Sequence, residues 1–484
     1  MPSLPAEIWA HIARYIPNHD LKKFYPVNRA LFNLSMNARY RAIDLAIRSR
    51  TTWMPFLKHL DRNDYVAPYV RSVTMDPELL YPRIFLERGY GESSSRRQRL
   101  MGSLKGLFHK ATSSKQPARL SLGEAMEIVT RDISDIFRNL PNFRSFSFRH
   151  RSRFPSFFGC PTLCSGLQKL SIDVSEVRSL DLWMNHGDGV VFEDLREFSV
   201  ILASNPLMFG WESEDARSEY LLGLASFVNK HRRLRAFSFT ALCVIDTSRF
   251  FASLDTMPLL DKLNLRVGFE LESLHHWSSF NGFFRAHNHF TRLILRNEDM
   301  SSDPSMSLPR HVLEGVHLPQ LRVLDLDLAT NYFPGDCISL IATLGALELQ
   351  SLKLGNRLLV MEELRQLRAM AEVFPSGPPL RNLHLYMRKV DKEALDIIAE
   401  TFPQLHSLTL LTMEPHSSLE HKPDALHRQL EASGTDYSWW KLLDLAVLMP
   451  SRGDEADHDV AMQRLLARAI PSIQNFDDNR YLFI

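Results

Sequence analysis

One phrase of apolar and polar positions keeps returning along most of the chain: apolar, two variable, apolar, one variable, apolar. It reads Phe143-Phe146-Phe148, Leu167-Leu170-Ile172, Leu195-Phe198-Val200 and Leu234-Phe237-Phe239. Leu260-Leu263-Leu265, Phe290-Leu293-Leu295, Leu321-Leu324-Leu326 and Leu349-Leu352-Leu354 follow, then Leu380-Leu383-Leu385 and Leu405-Leu408-Leu410. Trp440-Leu443-Leu445 closes the series, ten steps and 297 residues from the first copy, a mean spacing near 30. The apolar-x-apolar end of each phrase predicts a short strand of period two. The residues between phrases predict helices, as over 335–346 and 358–374. A lone strand-plus-helix unit cannot bury its own apolar face, whereas stacked units share one core. Val70-Val73-Met75 reads as an earlier unit, and Ile470-Ile473-Phe476 as a looser late one.

This pattern resembles leucine-rich repeats of an irregular kind. The usual Asn or Cys after the last Leu is missing, since residues such as Ala329, Arg357 and Arg388 stand there. The resemblance implies an α/β fold in which a curved parallel sheet carries its helices outside.

Before the repeats, prolines cut residues 3–45 into three short helical segments. Ser3 is placed to cap the first, Pro5 suits its first turn, and Glu7 complements the positive end of its dipole. Ile8, Ile12 and Ile16 recur every fourth residue and read as one stripe flanked by Trp9 and Tyr15. Pro17 ends that helix; Asn18 or Asp20 can begin a second holding Leu21 and Phe24; Asn28 precedes a third holding Leu31 and Phe32. About 40 residues rarely build a self-sufficient core, so part of this apolar surface needs cover. A separate partner or the first repeat can supply it.

The order Leu4-Pro5, Ile8, Ile12, Ile16-Pro17, Asp20-Leu21, Val27-Asn28-Arg29, Leu31-Phe32 resembles an F-box, in the version common among fungal members of that family. The resemblance implies docking on a Skp-type adaptor, and through it a cullin and a RING subunit. Carried over by position, Leu4, Pro5, Ile8, Ile12, Ile16, Leu21 and Val27 form that contact or support it. The expected organisation is an F-box over 1–45, linker helices and a possible first repeat over 46–91, and a basic, Ser-rich mobile insertion over 92–119. Repeats then fill 120–450, and an acidic loop with a terminal cap fills 451–484.

Charge narrows the functional classes. With 57 basic and 56 acidic side chains among 484 residues, the net charge is +1, so no global field drives binding to a polyanion. The cations concentrate locally between Ser93 and Arg119, where seven occur without an acidic residue. That segment reads as a solvated insertion, with an anionic membrane, nuclear import or nucleic acid as other uses. Residues 205–219 and 451–459 read as exposed loops. The opening residues lack the basic start of a secretory signal, and no apolar stretch reaches membrane-spanning length. Four cysteines make no disulfide framework, so a reducing compartment, cytoplasmic or nuclear, is expected.

Candidate chemistry is sparse. Cys160, Cys164, Cys243 and Cys337 show no recognisable activating setting or paired zinc-ligand spacing. His275-His276 and His287-x-His289 sit among Trp277, Phe280, Phe283 and Phe284 and read as the margin of a core-facing helix. No phosphate loop or nucleophile elbow occurs, and neither catalytic residue, metal nor cofactor is expected. On the strand faces, Lys262, Arg266, Arg292 and Arg296 precede Asp325 and Asp327, with His384 and Tyr386 further along. These positions read either as solvated strand residues or as a site for a substrate with neighbouring acidic and basic groups, or a phosphorylated peptide. The two resemblances together imply the substrate-recognition subunit of a Skp-cullin-F-box ubiquitin ligase, binding an unknown target protein. A repeat scaffold acting outside any ligase is the alternative, and nucleic acid a remoter third.

Overall fold

The computed structural model describes residues 4–24, 26–45, 56, 59–60, 63, 65–75, 135–137, 139–150, 166–174, 191–202, 214–245, 247–269, 274–297, 313, 315–327, 341, 343–371, 379–387, 390–412, 424–434, 436–448 and 456–476. It divides into two compact units, Met1–Leu195 and Arg196–Ile484.

The first unit opens with three helices: α1 (Ala6–Ala13), α2 (Asn18–Leu21) and α3 (Arg29–Tyr40). Pro5 occupies the N-cap of α1 and makes no side-chain cap hydrogen bond; Ser3, the expected cap, lies outside the described residues. Asn28 caps α3, its side-chain oxygen accepting the Leu31 N–H at 2.8 Å. Ala13, Leu21 and Leu31 form the bundle's buried centre, with Trp9, Ile16, Leu34 and Ala38 packed around it. The buried Ser35 hydroxyl donates to the Leu21 carbonyl at 2.6 Å and pins α3 to α2. α3 then runs almost directly into β1 (Ala42–Asp44), which pairs in parallel with β2 (Ser72–Met75). β2 pairs with β3 (Ser145–His150), and β3 with β4 (Lys169–Val174), again in parallel.

In the second unit, ten parallel strands pair in chain order. They are β5 (Glu197–Leu202), β6 (Ala236–Ile245), β7 (Lys262–Phe269), β8 (Arg292–Asn297) and β9 (Val323–Asp327), then β10 (Ser351–Leu359), β11 (Asn382–Met387), β12 (Ser407–Thr412), β13 (Asp444–Leu448) and β14 (Asn475–Phe476). Between them stand α4 (Glu214–Lys230), α5 (Ser248–Ser253), α6 (Leu274–Ala286), α7 (Met361–Ala371), α8 (Lys392–Thr401), α9 (Asp424–Ser433) and α10 (Ala456–Ala469). Parallel neighbours require such crossovers, because a strand must return to the same end of the sheet. The result is an α/β fold of leucine-rich-repeat type.

The register aligns the apolar phrases. Leu263 stands beside Leu293, Leu293 beside Leu324, and Leu352 beside Leu383, every one of them buried. The last copy slips by two residues: Leu408 pairs with Leu445 and Leu410 with Val447. Trp440 is buried in the preceding turn, its indole N–H donating to the Phe402 carbonyl at 3.1 Å. A shift of two preserves the side of the sheet on which each residue lies, so alternation alone does not expose it. β1 is an extra strand, carried by Ile43 and Leu45, both buried.

Three boundaries differ from the expected ones. β10 runs through Leu359, so its following helix starts at Met361, not at residue 358. Residues 214–219 belong to α4 and 456–459 to α10, although both stretches read as loops. Their acidic residues begin helices, where the positive end of the dipole favours them. The helical expectation over 335–340, the basic segment 92–119, Cys160, Cys164 and Cys337 lie outside the described residues.

Among the described residues, side chains on or just past the helices supply several ties between repeats. Asn229 of α4 donates to the Ser253 carbonyl at 2.7 Å and accepts the Asp255 N–H at 2.8 Å. Asn281 of α6 accepts the Leu313 N–H at 2.9 Å. His287, buried just past α6, places Nδ1 2.7 Å from the Phe283 carbonyl and accepts the Met257 N–H on Nε2 at 2.9 Å. That pattern fixes a neutral ring with its proton on Nδ1. His231 repeats the device past α4, with Nδ1 2.7 Å from the Phe227 carbonyl.

Burial holds both imidazoles below the ordinary value of 6.5, the carbonyl bonds opposing it only in part. A histidine depressed in the folded state stabilises the fold fully above 6.5 and loses that contribution as pH falls toward the folded value. The urea midpoint is therefore expected to hold between about pH 7 and 8 and to decline below about 6.5, with a shallower decline in a His231→Leu/His287→Leu variant. An equal decline in the variant would assign the acid sensitivity to other groups.

Candidate protein-binding surfaces

Two surfaces carry the side chains singled out in the sequence. The first is the outer side of α1. Ile8 and Ile12 are 45% and 38% exposed, Leu4 before the helix is 48% exposed, and Val27 before α3 is 56% exposed. Pro5 is exposed as well, while Ile16 is half-buried and Leu21 buried. The three isoleucines thus do not share one stripe. α1 ends at Ala13, so Ile16 lies in the turn that follows it and folds back to join the inner row of Trp9 and Ala13. Leu4, Ile8 and Ile12 remain outside, and Tyr15 extends the same side beyond the helix, 5.4 Å from the His11 ring in an edge-on contact. Tyr15 and Phe24 are exposed aromatics that the motif did not assign; the spacing of Tyr15 three residues after Ile12 was the available signal.

This arrangement gives α1 two apolar sides. Its inner side anchors the bundle, and its outer side faces water. The hydroxyl of Tyr69 donates to Asn33 of α3 at 2.7 Å, tying the bundle to the turn before β2. So the helices do cap the first rungs, yet that docking leaves the outer side of α1 open.

The second surface lies on the outward positions of β7–β11. Lys262 is opposite Arg292, and Arg266 opposite Arg296, which puts like charges side by side. Lys262 and Arg292 are exposed, and Arg266 and Arg296 half-buried. The next strand answers: Arg296 Nη2 donates to Asp325 Oδ2 at 2.7 Å, a diagonal pair whose side chains are only 24% and 11% exposed. Asp327 stands opposite Arg296 in the register. Lys353 is flanked by Asp325 on one side and His384 on the other. His384 and Tyr386 follow on β11 with ring centroids 5.7 Å apart.

Burial, helped by the Lys353 charge, lowers the His384 imidazole to about 4, so it is neutral near pH 7. Burial raises the Tyr386 phenol, which stays protonated. The eight predicted residues therefore do not form one cationic site beside one acidic site. Arg296 is engaged by Asp325, and the exposed cations left among the predicted set are Lys262 and Arg292. Asp325 Oδ1 and His384 Nε2 are buried without a hydrogen-bond partner among the described residues.

Elsewhere, His287 and Phe280, Phe283 and Phe284 are buried structural residues. Cys243 lies in β6. Among the described residues no group of three or more His, Cys, Asp or Glu side chains could hold a metal ion. No described helix is long and apolar enough to cross a membrane.

Because the Arg296–Asp325 pair is mostly shielded, removing one partner strands a charge. Arg296→Ala is expected to cost about 2 kcal/mol, less than a fully buried pair because both groups retain some solvent. Adding Asp325→Ala should return most of that loss, and a urea double-mutant cycle measures the coupling.

No protein-family model matches the chain. No curated protein matches it either. Among solved structures it is similar to the leucine-rich repeat-containing protein LegL7 from Legionella pneumophila, at 11% identity and a TM-score of 0.32, over 71% of this chain and 95% of that one.

Proposed function

We propose that this protein is a non-catalytic receptor, an F-box and leucine-rich-repeat subunit that joins a Skp-type adaptor to a target protein. The observation that carries the reading is the exposed row of Leu4, Ile8 and Ile12 on the motif that resembles an F-box. Fully burying a large aliphatic side chain stabilises by roughly 1.5–3 kcal/mol. These residues and Val27 are already about half-covered, so the four together gain roughly 3–6 kcal/mol on docking. Association costs roughly 4–15 kcal/mol, so the apolar row supplies part of the affinity and further contacts from the adaptor supply the rest. Tyr15 and Phe24 are available for them.

In this reading the repeats hold the target near the ligase, and the work done is proximity: tethering raises the effective concentration of target at the transfer site. The chain itself makes and breaks no bonds. Adaptor binding would place it in the cytoplasm or nucleus with the cullin and RING subunits. A receptor acting without the cullin is distinguished by what co-purifies.

Ile8→Asp with Ile12→Asp is expected to abolish recovery of the Skp-type adaptor in a pull-down. Both residues point to water, so the circular-dichroism spectrum and melting temperature should stay close to the parent. Undiminished recovery of adaptor by that folded variant would refute the proposal.

A further inference from the structure

We infer that the starting edge of the first unit's sheet is a docking strip for an acidic peptide segment. The residue just before each strand extends the backbone ladder by one step. Arg71 and Ser72 both donate their N–H groups to the Arg41 carbonyl, at 3.0 and 2.9 Å. Arg144 and Ser145 donate theirs to the Arg71 carbonyl, each at 2.9 Å. Arg41, Arg71 and Arg144 therefore occupy the same position on three successive rungs, and all three are exposed.

Adjacent rungs lie about 4.8 Å apart, and like charges directly opposite one another destabilise a sheet. Nothing described relieves that repulsion: no ion pair involving these three arginines occurs among the described residues. Arg144 donates only to a neutral group, the Gly166 carbonyl, at 3.3 Å. The second unit treats the same position differently. Arg196 and Arg235 there are followed by Asp261 and Thr291, and Arg322 is paired with Glu348 at 3.0 Å. A self-repelling cationic row with no ion-paired carboxylate among the described residues is a surface that an external anion stabilises.

The neighbours decide which anion. The next residue on each rung is Ala42, Ser72 or Ser145. These small side chains leave the guanidinium groups accessible, and the two hydroxyls can donate to a carboxylate. They offer no ring on which a nucleic-acid base could stack. Arginine forks match carboxylates in bidentate fashion, and three rungs span only about 10 Å, the length of a short extended segment. The strip is separate from α1, so adaptor binding does not depend on it.

The test uses the full chain and a fluorescein-labelled hexaglutamate peptide, read by fluorescence anisotropy. Arg41→Gln, Arg71→Gln and Arg144→Gln combined are expected to weaken binding about tenfold, each exposed charge pair contributing modestly. Raising ionic strength should weaken parental binding as well. Arg71→Gln alone should leave the melting temperature unchanged or raise it, because it removes the central like charge. Equal peptide affinity in the folded triple variant overturns the proposal, as does tighter binding of a hexathymidylate through the same arginines. A marked drop in melting temperature for Arg71→Gln would show the row to be structural and would overturn it too.

Discussion

The fold depends on one constraint: a parallel strand whose inner side chains are large and apolar must be covered by its neighbours. Each phrase brings two or three such residues to the sheet, and the residues of adjacent rungs sit side by side in register. Behind β5–β8 much of the space is filled by phenylalanine, and behind the later strands by leucine. Phe198, Phe227, Phe237, Phe250, Phe251, Phe280, Phe284 and Phe290 follow one another with neighbouring ring centroids between 4.7 and 6.0 Å apart. Stability of this kind is passed between adjacent repeats. It leaves the outward positions free to vary without cost to the core.

That freedom explains what was readable in the chain. Inward positions are tightly constrained, and the phrase located β3 through β12 because any polar residue there would be buried. It misplaced the last copy by two residues, the phrase in register being Leu442-Leu445-Val447 with both leucines buried, because alternation is blind to an even slip. β1 escaped notice because its phrase, Tyr40-Ile43-Leu45, overlaps the end of α3. Helix starts at Glu214 and Ala456 were hidden by acidic residues that suit a helix N-terminus and a loop equally well.

The binding surfaces were legible only in outline. Residue types on the strand faces were evident, but the cancellation of Arg296 by Asp325 depends on a diagonal across two strands some 29 residues apart in sequence. In the same way, a four-residue spacing suggested one isoleucine stripe, although α1 stops at Ala13 and Ile16 falls in the turn beyond it, packed toward the bundle's centre. The number of apolar residues announced that the bundle had more than it could hide. Their division between an inner and an outer side required coordinates.

The narrow interior of that bundle has a further consequence. Its centre consists of an alanine and two leucines with partly covered neighbours, a modest core for three short helices. Whatever clasps the outer side of α1 will therefore also hold α1 against α2 and α3, since ligation of the native form alone shifts local unfolding by mass action. Amide hydrogen exchange across the opening forty residues would slow when the ligand is saturating, while the strands would exchange at their own unaltered pace. Recognition and local order would then be two readings of a single equilibrium.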